Sequence, residues 1–459
     1  METQETRQNK MGTAPILPLI FSMSLPAMFS MLVQALYNIV DSYFVAQVSE
    51  KALAAVSLAF PLQNLLIAFA VGTAVGVTSL ISRRLGQGLQ EEANAAATHG
   101  ILLAVATWVL FALYGAFFST PFFHLFETDP EIIQMGDTYI SICCIFSFGV
   151  FVEICLERTL QATGNMIWPM IFQLIGAVTN IIMDPILIFG WFGLPAMGVA
   201  GAAIATVMGQ ILAMVVAALV VTFGKHDVHV SFRHFRLSWR TIKDIYVVGI
   251  PSIVMQSIGT VMTMALNGIL SGFSTAAYTV FGIYFKLQSF VFMPVFGLNQ
   301  GLLPILGYNY GARNRKRMMT AFRDGCAIAL VIMAAGMAVF LAAPQWLLSI
   351  FNASAELLKI GIPALRIICT CFLFAALGIV CSTLFQAVGK GVYSLIVSLM
   401  RQLAALVPAA WILAKVTQQV VFVWWAFPIA ECVSLVVSLL FFLRLYNKEI
   451  KHLETIQER

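Results

Sequence analysis

The sequence predicts an all-α integral membrane protein. Twelve transmembrane helices fall in two six-helix repeats, related by a pseudo-two-fold axis along the membrane normal. Three observations predict this. The chain has 459 residues, of which 60% are hydrophobic and 10% charged, with a mean hydropathy of +0.91; a soluble domain carries about 25% charged residues. The apolar residues come in long blocks, each near the ~20 residues that a helix needs to cross ~30 Å of hydrocarbon. Finally, the chain lies on itself without a gap when shifted by 225 positions.

The pairs that carry this register are mostly glycine, proline and glutamine, residues with specific backbone or polar jobs. Pro26 meets Pro251, Gln63 meets Gln288, and Gly72 and Gly76 meet Gly297 and Gly301. Gly86 meets Gly311, Gly100 meets Gly325, Gly136 meets Gly361, and Gln161 with Gly164 meets Gln386 with Gly389. A gapless register across so many loops marks a duplicated unit, and internal repeats of this kind underlie many transporter folds. An even number of spans per repeat brings both repeats into the membrane from the same side, which makes them parallel.

Hydropathy places the spans at roughly 15–44, 53–81, 95–119, 134–160, 167–190, 197–223, 243–269, 276–306, 319–343, 358–386, 391–414 and 420–445. The first block is too long for the core of a signal peptide and no small-residue cleavage site follows it, so an uncleaved helix is expected. The domain reading is an N-lobe over 1–224 (helices 1–6), a cytoplasmic linker over 225–242 and a C-lobe over 243–459 (helices 7–12). The linker is polar, with Lys225, His226, Asp227, Arg233, His234, Arg236 and Arg240. Basic residues crowd the loops of one side: Arg7 and Lys10, Arg83 and Arg84, the linker, Arg313 to Arg317, Lys390, and Arg444 to Lys451. The other side has only Lys51, Lys359 and Lys415, beside Glu127, Asp129 and Glu131. This asymmetry predicts that both termini are cytoplasmic.

Several function classes are excluded or disfavoured. Topology accounts for the net charge of +5, so no nucleic-acid partner is expected. No Gly-rich loop ends in Gly-Lys-Ser or Gly-Lys-Thr, the mark of an ATPase. The eight cysteines lie inside apolar spans without a zinc-ligand arrangement and are expected to pack as small hydrophobes. The six histidines sit in or near loops and the tail and form no ligand motif with intramembrane acids. No cofactor and no enzymatic activity are therefore expected.

Polar side chains within spans are expensive and ask for a reason. The first span carries Gln34, Asn38 and Asp41 at spacings of four and three, hence on one helix face, with Tyr37 beside them. The fifth carries Asn180 and Asp184, four apart, followed by Pro185, which removes a backbone hydrogen bond. Asp41 and Asp184 each lie near the outer end of an outward-going helix, and a rise of ~1.5 Å per residue puts them at about the same depth. Thr206, in the sixth span, lies within approach of this group. Two carboxylates at matched depth in one bundle make a site for a proton or, with Asn and Thr oxygens added, for a small hard cation. The bland alternative is a polar cluster that only bridges helices.

The second repeat has no acid at the equivalent place: position 41 maps onto Leu266, next to Asn267. It carries Lys286, Arg366, Arg401 and Glu431 near mid-span instead. Glu431 is expected to pair with one of these bases, leaving a packing network or a substrate or gating role for Lys286 and Glu431. Glu153 and Glu157, four apart towards the inner end of the fourth span, have Arg158 as their expected partner, and a gate or packing role is expected over direct coupling. The glycine pairs 72/76 and 297/301 are small-xxx-small patches suited to close helix packing.

With these residues in view, the chain resembles the multidrug and toxic compound extrusion (MATE) family over essentially its whole length. The resemblance rests on Pro26 with Ala35-Leu-Tyr-Asn-Ile-Val-Asp41, on Gly72 to Gly88 running through Ser-Arg-Arg-Leu-Gly-Gln-Gly, and on Leu160-Gln-Ala-Thr-Gly-Asn165. It continues in Asn180-Ile-Ile-Met-Asp-Pro185 and Gly198-Val-Ala-Gly-Ala-Ala-Ile-Ala-Thr206. The first-span acid together with Asn-x-x-x-Asp-Pro resembles the DinF-like branch. The resemblance implies two six-helix lobes and export of organic cations and amphipathic drugs in exchange for H+ or Na+ by alternating access. It implies a cation site at Asp41, Asn180, Asp184 and Thr206, with the same four as metal ligands if the coupling ion is Na+. Where some members have an Asn in the fourth span, this chain has Glu157. The expected partners are small-molecule drugs and the lipid bilayer, in a monomer of the plasma membrane. The alternatives are a lipid-linked precursor flippase of the same superfamily and, less favoured, a membrane-embedded enzyme.

Overall fold

The structure, a computed structural model, describes residues 9–453. Arg7, counted above among the bases of one side, lies outside the described residues. No strand occurs among them. Among the described residues eleven helical stretches are long and apolar enough to cross a membrane, and a bent pair of helices makes a twelfth span.

The first repeat contains α1 (Ile16–Val48), α2 (Glu50–Gly86), α3 (Gln90–Phe117), the bent pair α4 (Pro130–Ile145) and α5 (Phe148–Ala162), α6 (Ile167–Phe189) and α7 (Val199–Phe223). The second contains α8 (Trp239–Ser271), α9 (Thr275–Gly311), α10 (Arg315–Ala342), α11 (Ala355–Ile368), α12 (Phe372–Ala387), α13 (Gly391–Leu399), α14 (Val407–Thr417) and α15 (Ala426–Lys448). The duplication is visible in the element ends. Both ends of α9 lie 225 residues after those of α2, and the same holds for α10 and α3. The caps repeat as well: Ser49 Oγ accepts from the Ala52 N–H at 3.0 Å and Ser274 Oγ from the Ala277 N–H at 3.1 Å. Each satisfies one of the donors that a helix start leaves unpaired. After α5 and α12 the chain turns through Gly164 (φ 91°) and Gly389 (φ 83°), a conformation that a side chain would strain.

Three spans depart from the straight helices that the sequence predicts. The fourth bends by 45° between α4 and α5. There the Trp108 indole N–H donates to the Ile145 carbonyl at 2.8 Å and Ser147 Oγ donates to the Cys144 carbonyl at 2.7 Å. Side chains thus take up carbonyls that a broken helix leaves without a partner. The tenth span breaks at the corresponding place, through a 3₁₀ turn at Cys369–Cys371. The eleventh carries a π-helical segment, Met400–Leu406, between α13 and α14.

By packing, the chain forms two compact units. One gathers the chain up to Met28 and from Val254 on; the other is Phe29–Ile253. The sequence division at 224 and 243 follows the repeat and the change in polarity. The packing changes two residues after Pro26 and Pro251, inside α1 and α8. The glycine pairs sit where these helix halves dock. A Cβ on Gly72 would fall 2.4 Å from Ile253 Cγ1, and one on Gly76 would fall 2.2 Å from the Ile245 carbonyl oxygen. In the other unit a Cβ on Gly297 would fall 2.7 Å from Met28 Cγ, and one on Gly301 would fall 2.6 Å from Ser24 Oγ.

The segment before Trp239 lies along α3. The His229 N–H donates to Asn94 Oδ1 and the Ser238 N–H to His99 Nε2, both at 2.9 Å, and Val228 is buried. At the start of α2, Lys51 bridges Asp129 at 3.0 Å and Glu131 at 2.7 Å. The Lys51 ammonium, followed by the Glu131 backbone N–H, holds the Asp129 carboxyl below the usual carboxylate range. The eight cysteines are free thiols.

Candidate functional site

Helix spacing builds the site before any contact is considered. On α1, Tyr37 and Asp41 are four apart; on α6, Asn180 and Asp184 are four apart; Thr206 lies two turns into α7. Residues four apart share a helix face, so each pair points one way, and α6 packs along α7. The structure brings Asp41, Asn180, Asp184 and Thr206 into one cluster within the Phe29–Ile253 unit. The Asp41 and Asp184 carboxyls hydrogen-bond to one another. Asp184 is wholly buried, and Asn180 and Thr206 are buried beside it.

The Asn180 amide lies between Asp184 and Thr206. With its nitrogen toward the acid, it donates to Asp184 Oδ2 at 3.2 Å while its oxygen accepts from Thr206 Oγ1 at 3.2 Å. With the amide turned over, its nitrogen donates to Thr206 Oγ1 at 3.2 Å instead, and the hydroxyl in turn donates to the Ala202 carbonyl at 3.0 Å. In either setting, Oδ1 of Asp41 and Oδ1 of Asp184 are buried without a hydrogen-bond partner. Two carboxylates in contact in a low-dielectric interior repel strongly when both are charged. The cluster therefore suits a proton shared by the pair, or a hard cation seated against its oxygens. The two orphaned oxygens, with the Asn180 and Thr206 oxygens, fit a small monovalent ion such as Na+. No group of three or more His, Cys, Asp or Glu that could hold a metal occurs among the described residues.

Other candidates lie elsewhere. Gln34 and Asn38 are on α1 with exposed side chains, and Tyr37 is half-buried next to the acids. Glu153 and Glu157 are buried together on α5 as a separate cluster. Arg158 turns away from them to Gln161, donating to its Oε1 at 3.1 Å; no ion pair joins it to either glutamate among the described residues. Lys286 is exposed on α9, with its ammonium 6.0 Å from the centre of the Phe351 ring. Glu431, on α15, faces Arg401 of the π-helical segment at 3.8 Å, and its Oε2 is buried without a partner.

Sequence reasoning missed three neighbours of the acid pair. Tyr139 and Cys143, on α4, stand within electrostatic reach of Asp41, and the Tyr139 hydroxyl donates to Gln63 Oε1 at 3.5 Å. Gln63 carried a signal, a polar residue inside a span that recurs as Gln288. Tyr139 carried none, because a tyrosine inside an apolar block reads as packing.

Comparison with known proteins adds the family. The sequence profile of the MatE family matches residues 26–186 and again residues 251–411, the same 225-residue register as the internal repeat and well over half of the chain. The chain is 24% identical over 427 residues to a probable multidrug resistance protein NorM of Thermotoga maritima, covering 92% of this chain and 91% of the relative. It superposes with a TM-score of 0.90 and 27% identity on an outward-facing multidrug resistance MATE family transporter of the MOP superfamily, covering 97% of this chain and 99% of that one. It superposes equally well, with a TM-score of 0.89 and 27% identity over 96% of this chain and 98% of the other, on a MOP superfamily transporter from Pyrococcus furiosus Vc1, for which reverse polarity of the binding pocket suggests a different function. A duplicated twelve-span helical fold with the family profile in each half makes this chain a multi-pass membrane transporter, not an enzyme, and it belongs to the MATE family.

Proposed function

We propose that this protein is a secondary antiporter of the plasma membrane that exports amphipathic organic cations and drugs in exchange for H+ or Na+. The observation that supports this most directly is the cluster in which half-buried Asp41 meets the buried Asn180, Asp184 and Thr206. Multidrug resistance, the property named for its NorM relative, agrees with that reading. The ion drives transport only if it binds one conformation better than the other. A proton or cation that removes the repulsion between Asp41 and Asp184 favours the conformation in which α1 and α6 approach. Pro26 and Pro185 lie inside those helices and are where they can bend. When the site empties, repulsion separates the helices and the substrate is let go. Asn180 joins the acid pair to Thr206, its nitrogen donating to Asp184 Oδ2 and its oxygen accepting from Thr206. The excess of Lys and Arg on one set of loops supports cytoplasmic termini, and one chain holds every residue that the cluster needs.

A second reading rests on a specific observation. Lys286 and Arg366 are exposed side chains inside apolar spans, and exposed bases there suit an anionic head group, as in a lipid-linked precursor flippase. The deciding experiment is transport into or out of proteoliposomes of a fluorescent organic cation under an imposed proton or sodium gradient. Wild type is expected to transport against the substrate gradient, and Asp41→Asn, which keeps shape but removes the titrating group, is expected to fall to the level of empty vesicles. Undiminished transport by correctly inserted Asp41→Asn rules the site out. Gradient-independent movement of an anionic lipid, without movement of the cation, favours the flippase.

A further inference from the structure

A second pair of carboxyls lies in the same unit, away from the Asp41–Asp184 cluster. Glu153 and Glu157 are one turn apart on α5, only 8% and 2% exposed, and their carboxyls hydrogen-bond to one another. Glu157 is well supplied with donors. The Gln161 amide donates to its Oε1 at 2.7 Å, and the Gln173 amide, from α6, donates to both of its oxygens at 3.0 Å. Glu153 has no such supply: its Oε1 is buried without any hydrogen-bond partner. Arg158, also buried, is the charged group that acts on the pair, without an ion pair to either glutamate; its Nε has no hydrogen-bond partner. The helices packed against α5, namely α2, α3, α6 and α7, add the Gln173 amide and no charged group that acts on the pair.

Charge balance decides what this cluster holds. One guanidinium neutralises one carboxylate, and a second uncompensated carboxylate in the interior is strongly disfavoured. The donors mark Glu157 as the ionised member. Glu153, with an orphaned oxygen and a carboxyl neighbour, is then the acid that donates to it. The cluster is complete with one proton and unbalanced without it.

Two further features connect the pair to motion and to the first site. The 45° break between α4 and α5, at Phe146 and Ser147, lies six residues before Glu153, on the helix whose contact with α6 brings Glu157 to Gln173. On α6, Gln173, Asn180 and Asp184 fall at spacings of seven and four, on one face, with roughly 10 Å of helix between Gln173 and Asn180. We propose that Glu153 and Glu157 hold between them a proton that is released and taken up during the transport cycle, so that the first repeat carries two protonatable pairs joined by one polar face of α6. The step is an acid dissociation: the Glu153 O–H bond breaks, the proton passes to water, and the electron pair stays on the carboxylate.

The test does not depend on the Asp41 site, because it is done with that site removed. Infrared spectra of the full-length protein in lipid are recorded across pH in the double variant Asp41→Asn with Asp184→Asn. A protonated-carboxyl band that titrates should remain, and Glu153→Gln added to this background should abolish it. No titrating carboxyl band in the double variant, or a band that survives Glu153→Gln with Glu157→Gln, overturns the assignment. Should the added glutamine prevent folding, Gln173→Leu gives a second readout. It strips the α6 donor from Glu157 and is expected to move the midpoint of the band; an unmoved midpoint also overturns the assignment. Failure of transport in Asp41→Asn bears on the first site alone.

Discussion

At the scale of single residues, the cluster is defined by what its members lack. Asp41 and Asp184 each keep a buried carboxyl oxygen without a partner, and Asn180 reaches both Asp184 and Thr206. Residues that share a site lose their function together, so their defects should not multiply. Gradient-driven export by Asp41→Asn with Asp184→Asn is expected to match the worse single variant within about twofold, and the same should hold when Asn180→Ala is added to either. Multiplying defects in transport assays would assign the two acids to separate sites. The pairing of Asp41 with Asp184 was legible in the sequence, because depth follows from residue count along a helix. The partner of Arg158 was not. Adjacent residues on a helix point about 100° apart, so Arg158 cannot face Glu157 as it faces Gln161, three residues on. Only the fold says which of its neighbours it meets.

At the scale of elements, the glycine pairs set how closely helices approach. A methyl group at Gly72 would fall 2.4 Å from Ile253 Cγ1 and 2.7 Å from its backbone nitrogen, whereas one at Gly268 would meet nothing within 4 Å. Backbone in the way cannot rotate aside, so Gly72→Ala is expected to cost about 1–3 kcal/mol. Gly268→Ala, in an unobstructed helix, should stabilise by about 0.5–1 kcal/mol. Thermal melting of the purified protein checks both, and a Gly72→Ala protein as stable as wild type would contradict the packing described. The breaks were less legible than the helices. The 45° bend falls at Phe146-Ser147, without proline or glycine at the break itself, and the π-helical Met400–Leu406 contains neither proline nor glycine. Hydropathy counts apolar residues and is blind to which carbonyls a Trp108 or a Ser147 takes up.

At the scale of the whole molecule, duplication and asymmetry act together. Element ends, caps and left-handed glycines recur at 225 residues, yet the carboxylate pair exists only in the first repeat, where the second has Leu266 and Asn267. Ion-driven movement is therefore expected in the first repeat. The outer ends of α1 and α6 meet through the rings of Phe44 and Phe189, 6.2 Å apart. Spin labels at Gln47 and Trp191 are expected to approach as pH falls or sodium rises, and the response should vanish in Asp41→Asn. An identical response in wild type and variant would move the switch to another part of the chain, with Lys286 and Glu431 the next residues to examine.

The sequence alone determined the membrane class, the twelve spans, the 225-residue repeat and the residues of the Asp41–Asp184 cluster. Each follows from a local or periodic cost: apolar length against bilayer thickness, glycine and proline at fixed backbone positions, buried polar groups at helical spacing. Tertiary structure decided where the compact units change, after Pro26 and Pro251 and not at the polar linker. It also decided that Glu153 and Glu157 form a cluster of their own with Gln161 and Gln173. Both depend on which helix faces meet across long stretches of chain, and sequence spacing constrains a face without naming its partner.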